Sequence, residues 1–364
     1  MSIIDKMRKL KAVKDLKTTY VNRGFLSTGV AAANVLLSGS PVGGLPIGKI
    51  TMIAGISSSG KSLLAQKSIY EAQKKGLTPV LIDSEEAYQA ESFQKMGIDT
   101  KNLLVIQEKN INKIEKFLSD LMAGLSEDEM KNVYLVIDSW GLLMSQKSYD
   151  NAADLNKDSS INFQRTKALN ALARFLTGFE GATILVLNHC YASLDQYSDD
   201  SIPGGSVIFY VSSSILMLTS KAKEKEDGDV KGALVRAKTK KSRFAVEETK
   251  FQLLISHTGG FDPWYGLLED AIEMGHVLNN GIYYRRKIDG EMAKAWRRKE
   301  ILAPETSKSF WMPIFKDGQF VNDMEAKYSF KDRGFMDDDW EKIDETVPVK
   351  CDIDCDEEDG PGKL

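Results

Sequence analysis

Cysteine is scarce in this chain. Only Cys190, Cys351 and Cys355 occur among the 364 residues, too few for a disulfide framework, so a reducing, cytoplasmic setting is the expectation. Long apolar runs are missing too. None approaches the ~20 residues that span a bilayer, which excludes a membrane-spanning helix and argues against a membrane partner. Residues 1–9 carry basic side chains with no apolar segment behind them, so no secretory signal is expected. There is no internal repeat. Core-forming residues are not lacking, with 42% hydrophobic and 27% charged residues, and wholesale disorder is excluded. The length suggests two domains, or one large domain with an appendage.

A strong excess of one charge is also absent, since the net charge is −4. The distribution is uneven. Residues 335–364 hold twelve acids against three bases, whereas residues 1–20 hold six bases and two acids. The result is a mildly basic body with an acidic tail. The first reading of that tail is a solvated, disordered end. The second is a polyanion mimic that competes with nucleic acid for the basic body.

Along the chain, Ile3, Ile4, Met7, Leu10 and Val13 recur at helical spacing, predicting a short basic helix within residues 1–24 that contacts its own body or a neighbouring copy. Short β-branched runs at residues 50–54, 80–83, 103–106, 133–138 and 184–188 alternate with helical patterns at 62–75 and 164–179. That alternation predicts an α/β fold, a mostly parallel sheet covered by helices on both faces. Runs at 211–218, 233–237 and 250–255 follow with little helix between them and read as antiparallel strands added to the sheet. The pattern divides the chain into an N-terminal segment (1–24), a core (25–261), a small α+β region (262–336) and the acidic tail (337–364).

The eight residues Gly55-Ile56-Ser57-Ser58-Ser59-Gly60-Lys61-Ser62 satisfy G-x-x-x-x-G-K-[ST] at every fixed position, between a predicted strand and a predicted helix that continues with Leu63. Such a loop offers free backbone N–H groups at a helix N-terminus to phosphate oxygens. Lys61 then bridges the terminal phosphates, and Ser62 offers a hydroxyl to Mg²⁺. Asp138 ends the apolar strand 133–138, on the sheet edge where such folds place ligands, and is the second expected Mg²⁺ partner. The residue after it is Ser139, where many related ATPases keep a water-activating Glu. A base has to come from elsewhere. Glu85 and Glu86, just past the strand at 80–83, are the candidates. In an extended chain they point to opposite sides, and the residues themselves do not say which faces the nucleotide.

Taken with Ile82-Asp83-Ser84-Glu85, Val136-Ile137-Asp138-Ser139, Leu187-Asn188-His189, Pro203-Gly204-Gly205, Lys241-Ser242-Arg243 and Gly259-Gly260-Phe261-Asp262-Pro263, the loop makes residues 25–335 resemble the RecA-type recombinases, most closely the phage UvsX-type members. The resemblance implies a RecA-like P-loop ATPase core and ATP with Mg²⁺ as cofactors. It implies filament assembly on single-stranded DNA and pairing with homologous double-stranded DNA, with single-strand-binding and loading or mediator proteins as further partners. The expected setting is the cytoplasm, that of a host cell for a phage-encoded protein. It makes Glu85 the residue that positions the hydrolytic water, and Asn188 and His189 the γ-phosphate sensor. Lys241 and Arg243, two apart on a strand, become cations that reach a neighbour's γ-phosphate.

By the same resemblance, DNA is held by loops near residues 145–160 and 190–206. The first holds Lys147, Tyr149 and Lys157, with Arg165 and Lys167 in the following helix. The second has no Lys or Arg and three Asp, so backbone N–H groups or apolar wedges have to replace cations there. Where many relatives place a base-stacking tyrosine stands Ser92, leaving Phe93 or Tyr88 as substitutes. The clusters around Tyr283–Lys287 and Trp296–Lys299 read either as a duplex guide or as cover for the small region's core. Cys351 and Cys355 lack a third ligand nearby, so no zinc site is expected. Two rival readings are a RecA-core hexameric helicase and a mediator that binds nucleotide without hydrolysing it.

Overall fold

The computed structural model describes residues 23–150, 159–190, 202–226, 229–257, 259–290 and 294–330. The predicted helix in residues 1–20 and the acidic tail lie outside them, as do Lys157, Cys351, Cys355 and residues 191–201 of the second loop.

A small antiparallel pair, β1 (Phe25–Leu26) and β2 (Leu45–Pro46), precedes a nine-stranded sheet. Its members are β3 (Ile50–Gly55), β4 (Thr78–Asp83), β5 (Leu104–Ile106), β6 (Val133–Asp138), β7 (Thr183–His189), β8 (Ser214–Glu226), β9 (Asp229–Ser242), β10 (Lys250–Ser256) and β11 (Gly260–Phe261). The spatial order is β11-β10-β9-β8-β3-β7-β6-β4-β5. From β5 to β8 every pairing is parallel, and from β8 to β11 every pairing is antiparallel.

One expectation is corrected here. The run at 211–218 is antiparallel to β9 as expected, but it joins the sheet as a parallel neighbour of β3. Val211 ends the short helix Val207–Val211, and β8 starts at Ser214 and runs parallel to β3. The connection 190–213 is long enough to return the chain to the starting end of the sheet, as a parallel crossover requires.

Alternate residues of the inner strands enter two separate cores. Leu81, Val136, Leu185 and Leu187 pack on the side of the helix Lys61–Lys74. Val80, Ile82, Leu135, Ile184 and Val186 pack on the side of the helices Ile111–Gly124 and Ser159–Leu176. Strands buried on both faces need continuous apolar runs, which is why these segments do not alternate with polar residues. Each fully buried aliphatic side chain contributes about 1.5–3 kcal/mol.

Residues beyond β11 form a three-stranded antiparallel sheet of β12 (Val277–Asn279), β13 (Tyr283–Arg286) and β14 (Trp296–Arg297), with helices Leu268–Glu273, Arg298–Leu302, Pro304–Asp317 and Gln319–Tyr328. Pro304 opens its helix, where a missing N–H costs nothing, and Gly318 closes it at φ 82°. Trp311 meets Phe310 and Phe315 edge-to-face and Phe320 at a tilt, in the same hydrophobic cluster as the helix Ala31–Ser38 of the core. No described helix is long and apolar enough to cross a membrane.

Candidate nucleotide-binding active site

Parallel register brings the chemistry together. Gly55 of β3 pairs with His189 of β7, Ala54 with Asn188, and Asp83 of β4 with Asp138 of β6. Four strand tips therefore meet at one end of the sheet, the C-terminal edge where open α/β sheets bind ligands.

After β3 the chain turns through Ser58 (φ 56°) and Gly60 (φ 90°) into the helix Lys61–Lys74. A Cβ on Gly60 would lie 2.7 Å from Ile255 and Phe261, so no other residue fits. Leu63, one turn on, packs beside Gly260. No side chain caps this helix start, and its first turn holds no acid. Its dipole and free N–H groups are thus left for an anion. Ser57 and Ser58 are exposed, whereas Ser59 is buried with a hydroxyl that has no hydrogen-bond partner. The Lys61 ammonium donates to the carbonyls of Gly55 (3.0 Å) and Ile56 (2.9 Å), across the mouth of the loop. Burial pulls its pKa down, against the charges of Asp138 and Glu85.

The turn after β4 separates the two candidate glutamates. Asp83 Oδ1 accepts hydrogen bonds from the backbone N–H groups of Glu85 (3.1 Å) and Glu86 (2.8 Å). Glu86 adopts φ 54° and pairs with Lys109 at 2.8 Å, away from the loop. Glu85 turns inward, its Oε1 2.8 Å from His189 Nε2. The chain is not extended here, so strand alternation does not apply; the Asp83 turn decides the direction instead.

Asp138 is 2% exposed. Its Oδ2 accepts from the Tyr88 hydroxyl at 2.6 Å, while Oδ1 is buried without a partner. Burial raises the Asp138 pKa, hydrogen bonds from Tyr88 and Ser62 oppose that rise, and Glu85 and Asp83 add to it. Asp83 Oδ2 also lacks a partner. Three carboxylates thus face one ammonium, an imbalance that a divalent cation would neutralise. The residues present fit Mg²⁺. No three His, Cys, Asp or Glu side chains close into a metal cage among the described residues. A cation held mainly by phosphate oxygens and water, with Ser62 and Asp138 beside it, suits that geometry. Ser139 does not replace the missing Glu. Ser84 Oγ accepts from its N–H and donates to its carbonyl, both at 2.9 Å, and so clamps the backbone there.

Asn188 is fully buried and connects this end to the second loop. Its Oδ1 accepts from the His189 N–H (2.9 Å) and its Nδ2 donates to the Pro203 carbonyl (2.7 Å). Trp140 Nε1 donates to the next carbonyl, Gly204 (2.7 Å). Gly204 has φ 103°, and a Cβ there would meet the Trp140 ring at 2.6 Å. Sequence patterning did not reveal this tryptophan anchor, nor the Tyr88 contact to Asp138.

Lys241 and Arg243 lie elsewhere. Ser242 pairs with Ser214, and Ser214 with Thr51, at the starting end of β3. About 13 Å of strand separates that end from Gly55 (roughly 3.3 Å per residue). Lys241 Nζ donates to the carbonyls of Phe209 and Tyr210, both at 2.9 Å. Arg243 is exposed, one residue past the end of β9. The alternation expected for the pair therefore does not hold, because the strand ends at Ser242, between the two cations.

The residues considered for the base platform are placed differently. Phe93 is buried in the core, Tyr88 stacks on it at 5.2 Å and points its hydroxyl at Asp138, and Ser92 accepts from Gln66 Nε2 at 3.2 Å. In the first loop, Lys147 donates to Ser160 (2.9 Å), and Arg165 to the carbonyls of Leu143 (2.7 Å) and Gly141. Arg165 thus braces the loop's base, while Lys167 is exposed. The basic–aromatic clusters divide: Tyr284 and Trp296 are buried, whereas Tyr283, Arg297 and Lys299 reach the surface.

Comparison with known proteins now decides the family. Residues 1–262 match the RecA N-terminal domain, and residues 264–324 match the C-terminal domain of the bacteriophage T4 recombination and repair protein, UvsX. The chain belongs to the RecA family. It is 28% identical to the recombination and repair protein of Enterobacteria phage T4 over 334 residues, covering 88% of this chain and 83% of that protein. It is 25% identical to Protein RecA of Aquifex aeolicus over 282 residues, 76% of each chain. With Protein RecA of Chlorobaculum tepidum the identity is 28% over 264 residues, 71% of this chain and 73% of the relative. As a RecA-family recombinase it is an ATP-using, DNA-dependent ATPase of homologous recombination and strand exchange, and it acts on single-stranded DNA as a self-assembled filament. The helicase and mediator readings are not favoured.

Proposed function

We propose that this RecA-family protein hydrolyses ATP between neighbouring copies, one copy cradling the triphosphate and the next supplying Lys241 and Arg243. The observation that carries this reading is the sheet topology. The two cations sit at the opposite end of the sheet from their own phosphate loop, so a contact to γ-phosphate has to come from another subunit.

Within one copy, backbone N–H groups of residues 55–63 bind the phosphates, and Lys61 leaves the carbonyls of Gly55 and Ile56 for the terminal oxygens. Mg²⁺, beside Ser62 and Asp138, supplies charge neutralisation when bound. Glu85 accepts a hydrogen bond from the attacking water and aligns it with the γ-phosphorus. His189, released from Glu85, reports the phosphate to Asn188 and thence to Pro203 and the second DNA loop. The outer strand β5 exposes Leu104 and Val105, which supports strand addition by a neighbouring copy during assembly. Residues 25–261 then carry the ATP chemistry. Residues 262–336, through Tyr283, Arg297 and Lys299, engage the homologous duplex. Single-strand-binding and mediator proteins, and a cytoplasmic setting, complete the reading.

A mixing experiment tests it. Glu85→Gln and Arg243→Ala are each expected to lose DNA-stimulated hydrolysis. Mixed in equal amounts on single-stranded DNA, they regain roughly a quarter of wild-type turnover, because one interface in four pairs an intact Glu85 with an intact Arg243 in a heterologous assembly. No recovery on mixing, with both variants assembling normally, rejects the shared site.

A further inference from the structure

Tyr88 is the least expected member of the site. It falls three residues after Glu85. Its ring stacks on Phe93 with centroids 5.2 Å apart and planes 28° from parallel. Its hydroxyl donates to Asp138 Oδ2 at 2.6 Å, the short distance of a charge-assisted bond. One face of the ring rests on Phe93, and the hydroxyl holds a carboxylate.

We propose that Tyr88 is a positioning residue for Asp138, fixing the carboxylate so that Oδ1, and not Oδ2, faces the cation that accompanies the nucleotide. The proposal rests on the assignment of Asp138 to Mg²⁺ made above. The geometry behind it is specific. A carboxylate free to rotate presents either oxygen. Here Oδ2 is claimed by Tyr88, the Ser62 hydroxyl also bonds the carboxylate, and Oδ1 is buried with no partner, so a water of the metal's hydration shell would have one acceptor to find. Outer groups that orient a metal's ligands commonly change metal affinity by about 10–100-fold.

The test is a MgCl₂ titration of the binding of a fluorescent ADP analogue to the full chain, without DNA and without turnover. Tyr88→Phe retains the ring on Phe93 and removes only the hydroxyl. It is expected to raise the Mg²⁺ midpoint about 10-fold, with binding in EDTA unchanged. Asp138→Asn is expected to raise the midpoint as well, and Tyr88→Phe added to Asp138→Asn to bring no further shift. An unchanged or lowered midpoint in Tyr88→Phe overturns the proposal, as does an additive shift in the double variant. If Asp138→Asn itself leaves the midpoint unmoved, the assignment of Asp138 to the metal fails, and Tyr88 with it. If Asp138→Asn shifts the midpoint and Tyr88→Phe does not, only the Tyr88 proposal falls.

Discussion

The two ends of the central sheet differ in both charge and preparation. At the end where β3, β4, β6 and β7 stop, Asp138 and Glu85 act on Lys61 with Asp83 on the neighbouring strand tip, and several buried oxygens have no partner. At the other end, Lys241 and Arg243 stand near the surface, and Lys241 rests on the last carbonyls of a short helix. One end lacks positive charge and the other presents it. Neither completes a triphosphate site alone, and within one copy the length of β3 keeps them apart. On the proposal made above, such a chain gains a full site only by assembling, and ATP turnover is tied to the filament.

The largest effect is expected from breaking the cationic end. Arg243→Ala should bind nucleotide normally but lose about 10³-fold in DNA-stimulated turnover, the scale of an arginine-finger contact. Comparing turnover with nucleotide affinity checks this, and a wild-type rate would dissolve the contrast between the ends. A smaller effect, about 10-fold in DNA stimulation, is expected from Gly204→Ala. That Cβ would displace Trp140 and disturb the strut from Asn188 to the second loop. ATPase measured without DNA should stay near wild type, which separates signalling from chemistry at the phosphate end.

The smallest effect lies away from both ends. Asp270 is buried and accepts from Lys327 (2.9 Å) and Tyr328 (2.6 Å). Partial burial pulls the Lys327 ammonium down, but Asp270 and Glu273 outweigh it and hold its pKa above the usual lysine value. The contribution is therefore complete below the ordinary lysine pKa and is lost only as pH climbs past the raised one. Asp270→Asn should cost about 1–3 kcal/mol in denaturant unfolding at neutral pH, with nucleotide affinity unchanged. A change in nucleotide affinity there would mean that this region senses the site.

Much of the sheet was legible because its strands are short apolar runs bounded by glycines and acids. β6 was read to the residue and β3, β4 and β7 to within two. The direction of β8 was not, since an apolar run looks the same whether it pairs parallel or antiparallel, and only its register against β3 settles it. The choice between Glu85 and Glu86 depended on one side chain, Asp83, binding the backbone after it. Tyr88 was legible only as a substitute for a base-stacking tyrosine, because its bond to Asp138 exists only once a distant strand meets it.

The sequence by itself determined the local chemistry: a phosphate loop whose glycines and lysine sit at fixed spacing, and strands whose composition demands burial on both faces. Such features depend on neighbours a few residues away. Tertiary structure alone decided which hydroxyl claims Asp138, and that Lys241 and Arg243 lie at the far end of the sheet from the phosphate loop. Those outcomes come from strand register and direction, which are set by the packing of segments many residues apart.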